Sequence, residues 1–302
     1  MESFAYMTSG WTLLVCTFFV SVFMSRERFW HYAIGNLFAY FMTSNMKLIF
    51  HDPRPIDKWA DIWLQPCKPE FGSPSMHCSV FSAVLFLILF DHFTPSTWSR
   101  TIYPDLNKRT IHGNLAAFVI ALALNIIAQL ILIYDRMLLG MHTLDQVLFG
   151  ALFGLWCAAF CHICLRDRIF SHISRISNCS EPLTGNQTLT YALKALSITL
   201  VAIFTTVCVS VAVQHYGRID IRQATNKPHI CDIDIPSDTY LIKISEKNFR
   251  RPIVLSTQYL GLFSFYLGQL LFRYTRRGYL GNDAFNSSNS NLSDRRCPAV
   301  IF

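Results

Sequence analysis

The sequence predicts an all-α fold, a polytopic bundle of about seven transmembrane helices that forms one membrane domain. The first observation is composition: of 302 residues, 52% are hydrophobic and only 15% are charged. The mean hydropathy is +0.32, and a soluble domain of this size needs more charge to cover its surface. The second observation is a series of uncharged runs close to the roughly 20 residues that a helix needs to cross a bilayer.

Seven such runs are the predicted helices. In chain order they cover residues 3–25, 29–46, 71–90, 110–134, 146–165, 195–217 and 252–272. Several contain Gly, Ser and Asn, which suits helices packed against other helices. The first run lacks the basic region of a cleavable signal peptide, so we expect a retained span. Residues 273–302 are rich in Asn and Ser and are expected to form a flexible tail after a membrane domain at 1–272.

The net charge of +7 does not indicate binding to nucleic acid. The basic residues lie in the loops between the predicted spans and in the tail, not in a continuous patch. The expected partners are therefore membrane lipids and a small substrate.

Three segments place unusual polar residues beside the predicted spans. They are Lys47 and Arg54 in the first, Ser75 and His77 on either side of Met76 in the second, and Arg136, His142, Asp145 and Gln146 in the third. With seven spans, the three segments fall on the same face of the membrane. The sequence therefore predicts one polar site at that face.

Cations and a helix N-terminus in this set are suited to an anion. Lys47, Arg54 and Arg136 supply three positive charges, and Arg grips two phosphate oxygens with parallel hydrogen bonds. Cations gathered at a membrane boundary are costly unless an anion neutralises them. Ser75 and the N–H groups around Met76 open a helix, where the helix dipole favours an anion. The set therefore predicts a phosphate site.

The two histidines of the set are the candidate reacting groups. One imidazole can attack phosphorus, while the other can protonate the leaving alkoxide. A nucleophilic imidazole needs its second nitrogen held by an acceptor. Asp145 or Gln146, three and four residues after His142, can reach that nitrogen from the first turn of a helix.

These motifs resemble the type 2 phosphatidic acid phosphatase superfamily, whose signature is K-x6-R-P, P-S-G-H and S-R-x5-H-x3-D. Lys47 and Arg54-Pro55 match the first motif with its spacing. Pro74-Ser75-Met76-His77 matches the second at three of four positions, and Arg136 and His142 match the third at its spacing. The three motifs lie within residues 47–146, so much of the chain is outside the resemblance.

The resemblance implies a role for each matched residue. His142 would be the nucleophile that forms a phosphohistidine, and His77 would be the general acid. Phosphate would be bound by Lys47, Arg54, Ser75 and Arg136, with the N–H of Met76 as a further donor. No metal or other cofactor is implied, and the sequence contains no ligand set at a plausible metal spacing.

Three positions depart from the family pattern. Asp135 replaces the usual Ser, where its carboxylate could either repel phosphate or hold Arg136; Met76 replaces Gly; and Gln146 replaces the usual Asp. A Gln at that position is also similar to the glucose-6-phosphatase branch, as is Cys67, ten residues before His77.

The resemblance implies an integral membrane phosphatase acting on phosphomonoesters of a lipid or a sugar, with isoprenyl diphosphates also open. The departures leave an alternative, a catalytically impaired pseudo-phosphatase that binds phosphate or lipid as a scaffold. The distribution of Lys and Arg favours a lumenal or extracytoplasmic site in the endoplasmic reticulum or another endomembrane. The glycosylation sequons argue for the opposite orientation.

Overall fold

The computed structural model describes residues 25–55, 71–93, 115–177, 183–216, 218–220, 241–243 and 247–279. Nearly all of the predicted first span, 3–25, lies outside the described residues. So does the predicted tail beyond residue 279.

The described chain is built of helices, with one short pair of strands. The helices are α1 (Arg26–Phe50), α2 (Met76–Phe93), α3 (Leu115–Leu138), α4 (Leu144–Phe160), α5 (Arg166–Ser177), α6 (Gly185–Tyr216) and α7 (Lys247–Tyr279). A π-helical turn, Cys161–Leu165, joins α4 to α5 without a break. Between α6 and α7, strands β1 (Arg218–Asp220) and β2 (Leu241–Lys243) pair antiparallel, with Arg218 opposite Lys243.

The helical fold class predicted from the sequence is confirmed. Every predicted run after the first overlaps a helix in the described ranges. Four stretches there are long and apolar enough to cross a membrane: Met76–Phe93, Leu115–Leu138, Leu144–Ser177 and Gly185–Val213. The predicted number of seven spans stays a prediction. The strand pair was not predicted, because strands of three residues leave no periodic pattern.

Helices α2 and α4 pack closely because small residues line their contact. A Cβ added at Gly150 would lie 2.7 Å from the carbonyl oxygen of Ser75, and one at Gly154 would collide with the carbonyl oxygen of Ser79. Small residues let helix backbones approach in this way, as they do in membrane helix pairs. The hydroxyl of Ser82 donates across the contact to the carbonyl of Ala151 at 2.7 Å. This packing holds the start of α2 against the start of α4.

Helix α1 packs against α2, α5 and α7. Near its middle the Thr43 and Ser79 hydroxyls are 2.7 Å apart, which ties α1 to α2. Near its start Trp30 packs in a buried cluster with residues of α5 and α7, including Ile176 and Leu270. The indole N–H of Trp30 also donates to the side-chain oxygen of Gln269 at 3.0 Å.

Two groups of buried polar side chains lie at opposite ends of these helices. The end of α1 and the beginnings of α2 and α4 meet around His142, and we call this region the His142 end. The start of α1, the end of α2 and the start of α5 meet around Asp91, which we call the Asp91 end. In α1, Tyr32 and Lys47 are 15 residues apart, so the two ends are separated by about 22 Å along the helix axis.

Candidate active site

The first segment places two cations at the end of α1. His51 ends the helix in a left-handed conformation, with φ 37°, and its N–H donates to the carbonyl of Lys47. Lys47, 4% exposed, donates from Nζ to the carbonyl of Phe71 at 2.8 Å. Arg54, 5% exposed, donates from its guanidinium to the carbonyl of Met141 at 3.4 Å. Each of these predicted phosphate-binding cations thus contacts the backbone of another segment.

The second segment leads into α2. Its path is fixed by two backbone bonds, from the Gly72 N–H to the Asp52 carbonyl at 2.7 Å and from the Ser75 N–H to the Gln146 carbonyl at 3.0 Å. The Ser75 side chain is wholly buried. Its hydroxyl oxygen has no hydrogen-bond partner of ordinary geometry within the described chain. Met76 and His77 form the first turn of α2 and are half-buried.

The third segment runs from the last turn of α3 to the first turn of α4. Gly140 adopts a positive φ of 61°, a conformation that only glycine takes without strain, and this lets the chain turn back. The Met141 N–H then donates to the carbonyl of Arg136 at 3.2 Å. The turn places His142, 3% exposed, directly before Thr143, the N-cap residue of α4.

The positive charges of four predicted site residues act on the ring of His142. Burial of the ring, together with the positive charges of Arg54, Lys47, His77 and Arg136, holds the pKa of His142 well below its usual range. A buried imidazole loses hydration when protonated, and neighbouring cations disfavour a further positive charge. His142 is therefore a neutral imidazole in a positive local field at neutral pH.

Asp135 forms an ion pair with its neighbour. Its carboxylate lies 3.1 Å from the guanidinium of Arg136, and both side chains are largely buried. Of the two roles considered from the sequence, the structure shows the contact that would hold Arg136. The carboxylate also brings a negative charge to the margin of the cationic cluster.

The two candidates for orienting the His142 ring lie elsewhere. Asp145 is exposed at the start of α4. Gln146 is 3% exposed, and its amide bonds to two backbone groups, the Thr143 N–H at 3.3 Å and the Pro53 carbonyl at 3.1 Å. The Nδ1 atom of His142 has no hydrogen-bond partner within the described chain. The structure thus brings together the cations and both histidines, but gives His142 no acceptor from α4.

The Asp91 end was missed by the sequence analysis. One carboxylate oxygen of Asp91 lies 2.7 and 2.6 Å from Nε and a terminal nitrogen of Arg166. The other accepts from the Tyr32 hydroxyl at 3.0 Å and lies 3.0 Å from Nε of Arg28. A signal was present, because these three charged residues directly flank apolar runs. Charges at the ends of neighbouring spans are candidates for pairing.

The fold and the site together define a class: a helical protein with helices apolar enough to cross a membrane and a buried histidine among cations. Residues 28–170 match the family model of the PAP2 superfamily, the family of type 2 phosphatidic acid phosphatases. The matched segment contains every site residue named above. No curated protein and no solved structure matched the chain. The likeness to the glucose-6-phosphatase branch stays a prediction.

No group of three or more His, Cys, Asp or Glu side chains in the described ranges could hold a metal ion.

Proposed function

We propose that this chain is an integral membrane phosphatase that hydrolyses phosphomonoesters through a phosphohistidine on His142. Members of the PAP2 superfamily, which residues 28–170 match, are phosphatases. The observation that carries the proposal is the environment of His142: a buried imidazole of lowered pKa, with a second histidine and three cations around it, drawn from three separate segments. A neutral imidazole keeps the lone pair that a nucleophile needs, and the positive field attracts its substrate.

The first step breaks the phosphate ester. A ring nitrogen of His142 donates its lone pair to phosphorus, and the bond from phosphorus to the ester oxygen breaks. His77, half-buried at the start of α2, donates a proton to the departing alkoxide. The positive charge that forms on the His142 ring is offset by the phosphoryl group that it now carries.

The second step returns the enzyme to its starting state. Water attacks the phosphorus of the phosphohistidine, His77 takes a proton from this water, and the bond between nitrogen and phosphorus breaks. Inorganic phosphate leaves and His142 is neutral again. In both steps Lys47, Arg54 and Arg136 stabilise the negative charge on the phosphoryl oxygens, the role that Mg²⁺ has in other phosphoryl-transfer sites.

Two substrate classes differ in how they would reach a site at the end of a helix bundle. A lipid phosphate would enter between helices, and a sugar phosphate would enter from the aqueous side. We propose substrates of these two classes, with the domain spanning residues 1–272 in an endomembrane and the site on its lumenal side.

Phosphate release by purified protein in detergent or vesicles tests the proposal. The panel contains a lipid phosphate, a sugar phosphate and an isoprenyl diphosphate, each assayed with wild type and with His142→Ala. We expect release from at least one substrate and a loss of about 10³-fold or more in the variant. Equal release by His142→Ala would overturn the mechanism.

A second candidate is a pseudo-phosphatase that binds phosphate or a lipid headgroup without cleaving it. The observation in its favour is the His142 Nδ1 atom, which has no acceptor in the described chain, while Asp145 is exposed. This candidate predicts saturable binding of inorganic phosphate with no release from any substrate of the panel. Trapping of a phosphorylated His142 peptide by rapid quench and mass spectrometry would exclude it.

A further inference from the structure

We propose that Gln146 is a positioning residue that sets the separation between Arg54 and His142, and does not orient the His142 ring. The inference rests on the proposed function, because it concerns how the same site is held together. It differs from the role that the Asp of the family pattern implies for this position.

Gln146 is bonded to all three site segments. Its Nε2 donates to the Pro53 carbonyl at 3.1 Å, and its Oε1 accepts from the Thr143 N–H at 3.3 Å. Its backbone carbonyl accepts from the Ser75 N–H at 3.0 Å. Pro53, Thr143 and Ser75 belong to the first, third and second segments, so this residue is a shared contact of the three.

The two side-chain bonds end next to reacting groups. Pro53 directly precedes Arg54, and Thr143 directly follows His142. A single amide thus fixes the backbone on one side of the phosphate-binding guanidinium and on one side of the nucleophile. On the other side of His142, the preceding residue Met141 accepts a hydrogen bond from Arg54 at 3.4 Å, which links the two segments a second time.

The two bonds need a side chain that donates from one atom and accepts at another. The Pro53 carbonyl needs a donor and the Thr143 N–H needs an acceptor, and a glutamine side chain carries one of each. An ionised Asp or Glu offers acceptors alone, and Asp is also one methylene shorter. This gives a physical reason for Gln146 where the family pattern has Asp.

The amide is enclosed as well as bonded. Gln146 is 3% exposed, and a Cβ at Gly72 would lie 2.5 Å from its Oε1 and 2.6 Å from its Nε2. Gly72 is itself held by its N–H bond to the Asp52 carbonyl. The absence of a side chain at Gly72 therefore provides the space that the amide occupies.

The chain offers a matched control at the start of α6. There the Thr184 N–H donates to Oε1 of Gln187 at 3.0 Å, the same bond that the Thr143 N–H makes to Gln146. Gln187 is exposed and near the beginning of a helix with no site residue. The two glutamines thus share the capping bond, and the bond to Pro53 distinguishes Gln146.

The first test compares Gln146→Met with Gln187→Met, because methionine keeps the length of the side chain and removes the amide. For the most active substrate of the panel, we expect Gln146→Met to lower kcat by about tenfold to a hundredfold, since misplaced reacting groups slow the chemical step. KM should change by less than about threefold, because Lys47, Ser75 and Arg136 still bind phosphate. Gln187→Met should leave both constants within about twofold of wild type.

The second test does not depend on activity. Exchange of the C2 proton of each histidine ring, followed by mass spectrometry across a pH series, reports the pKa of His142. If the Arg54 segment loosens and water enters, the pKa of His142 in Gln146→Met rises toward the usual 6.5. In Gln187→Met it should stay at the wild-type value.

Gly72→Ala provides a milder variant if Gln146→Met fails to fold. Its methyl group displaces the amide without removing it, so we expect kcat to fall and the pKa of His142 to rise, each by less than in Gln146→Met. A wild-type kcat and an unchanged His142 titration in either folded variant would overturn the inference.

The two proposals fail in different ways. If wild type releases no phosphate from any substrate, but Gln146→Met still shifts the His142 titration, the catalytic proposal fails and the positioning role stands. If wild type is active and Gln146→Met lowers kcat without moving the titration, Gln146 acts on the reaction by another route and the positioning inference fails.

Discussion

The His142 end and the Asp91 end use the same helices with opposite charge arrangements. At the Asp91 end a carboxylate is bonded by Arg166, Arg28 and the Tyr32 hydroxyl, so opposite charges are in direct contact. At the His142 end, the charges that lower the pKa of the central histidine are those of four cationic residues, and the one ion pair described there, between Asp135 and Arg136, lies at the margin of the cluster. Both groups lie within the segment that matches the PAP2 superfamily.

The difference indicates what each end does. Buried opposite charges satisfied by one another hold helices in register and have little capacity left for a ligand. Cations gathered around a neutral imidazole create a positive field that favours an anion. The Asp91 end is therefore suited to holding α1, α2 and α5 together, and the His142 end to receiving a phosphate.

The largest expected effect is on stability, from Asp91→Ala. Removing this carboxylate leaves Arg166, 3% exposed, buried without its main counter-charge, which costs about 3–5 kcal/mol of unfolding free energy. Thermal or denaturant unfolding in detergent measures the loss. Asp167→Ala is the control, since Asp167 is 36% exposed and lies 3.5 Å from the same arginine.

The control should cost less than about 1 kcal/mol, as exposed ion pairs do. Equal losses in the two variants would show that the Asp91 end does not hold the helices together. Catalysis per folded molecule should survive in Asp91→Ala, because the site is about 22 Å away.

Long apolar runs made most of the helical fold predictable. Burial of roughly 20 consecutive apolar residues leaves few alternatives to a helix, and α2, α3 and α6 follow the predicted runs. The ends of the helices were less predictable. The passage of α4 through a π turn into α5 depends on residues such as Cys161 packing against neighbouring helices, and no local pattern in the chain signals that contact.

The position of the candidate site could be predicted from the sequence, but its bonds could not. Residue type and spacing indicated Lys47, Arg54 and Arg136 as candidate phosphate ligands, and the structure places their charges around His142. The bond from Gln146 to the Pro53 carbonyl joins residues 93 positions apart. Such a bond follows from how the segments pack, and packing is a property of the folded chain.

A second prediction concerns phosphate affinity, from Arg54→Gln. The change removes one of the cations that act on His142. Inorganic phosphate should therefore bind about tenfold more weakly, a loss of about 1.4 kcal/mol of binding free energy. Inhibition of the assay by inorganic phosphate measures this. The matched change at the other end is Arg28→Gln, which breaks a contact to Asp91 and should leave phosphate affinity unchanged.

If Arg28→Gln weakened the binding of inorganic phosphate as much as Arg54→Gln, the two ends would not be separate in function. If neither variant did, the positive field at His142 would not be what binds the anion.

The smallest expected effect comes from Asp135→Asn. The amide can still accept from Arg136, 3.1 Å away, so the guanidinium keeps its place while the negative charge at the margin of the cluster disappears. Phosphate inhibition should therefore tighten by about two- to fivefold at low ionic strength, with a smaller gain at high salt because screening weakens the original repulsion. Asp167→Asn, beside Arg166 at the other end, should leave the inhibition by inorganic phosphate unchanged. Weaker inhibition in Asp135→Asn would show instead that holding Arg136 requires the full ion pair, and that this carboxylate contributes to the anion site by positioning its arginine.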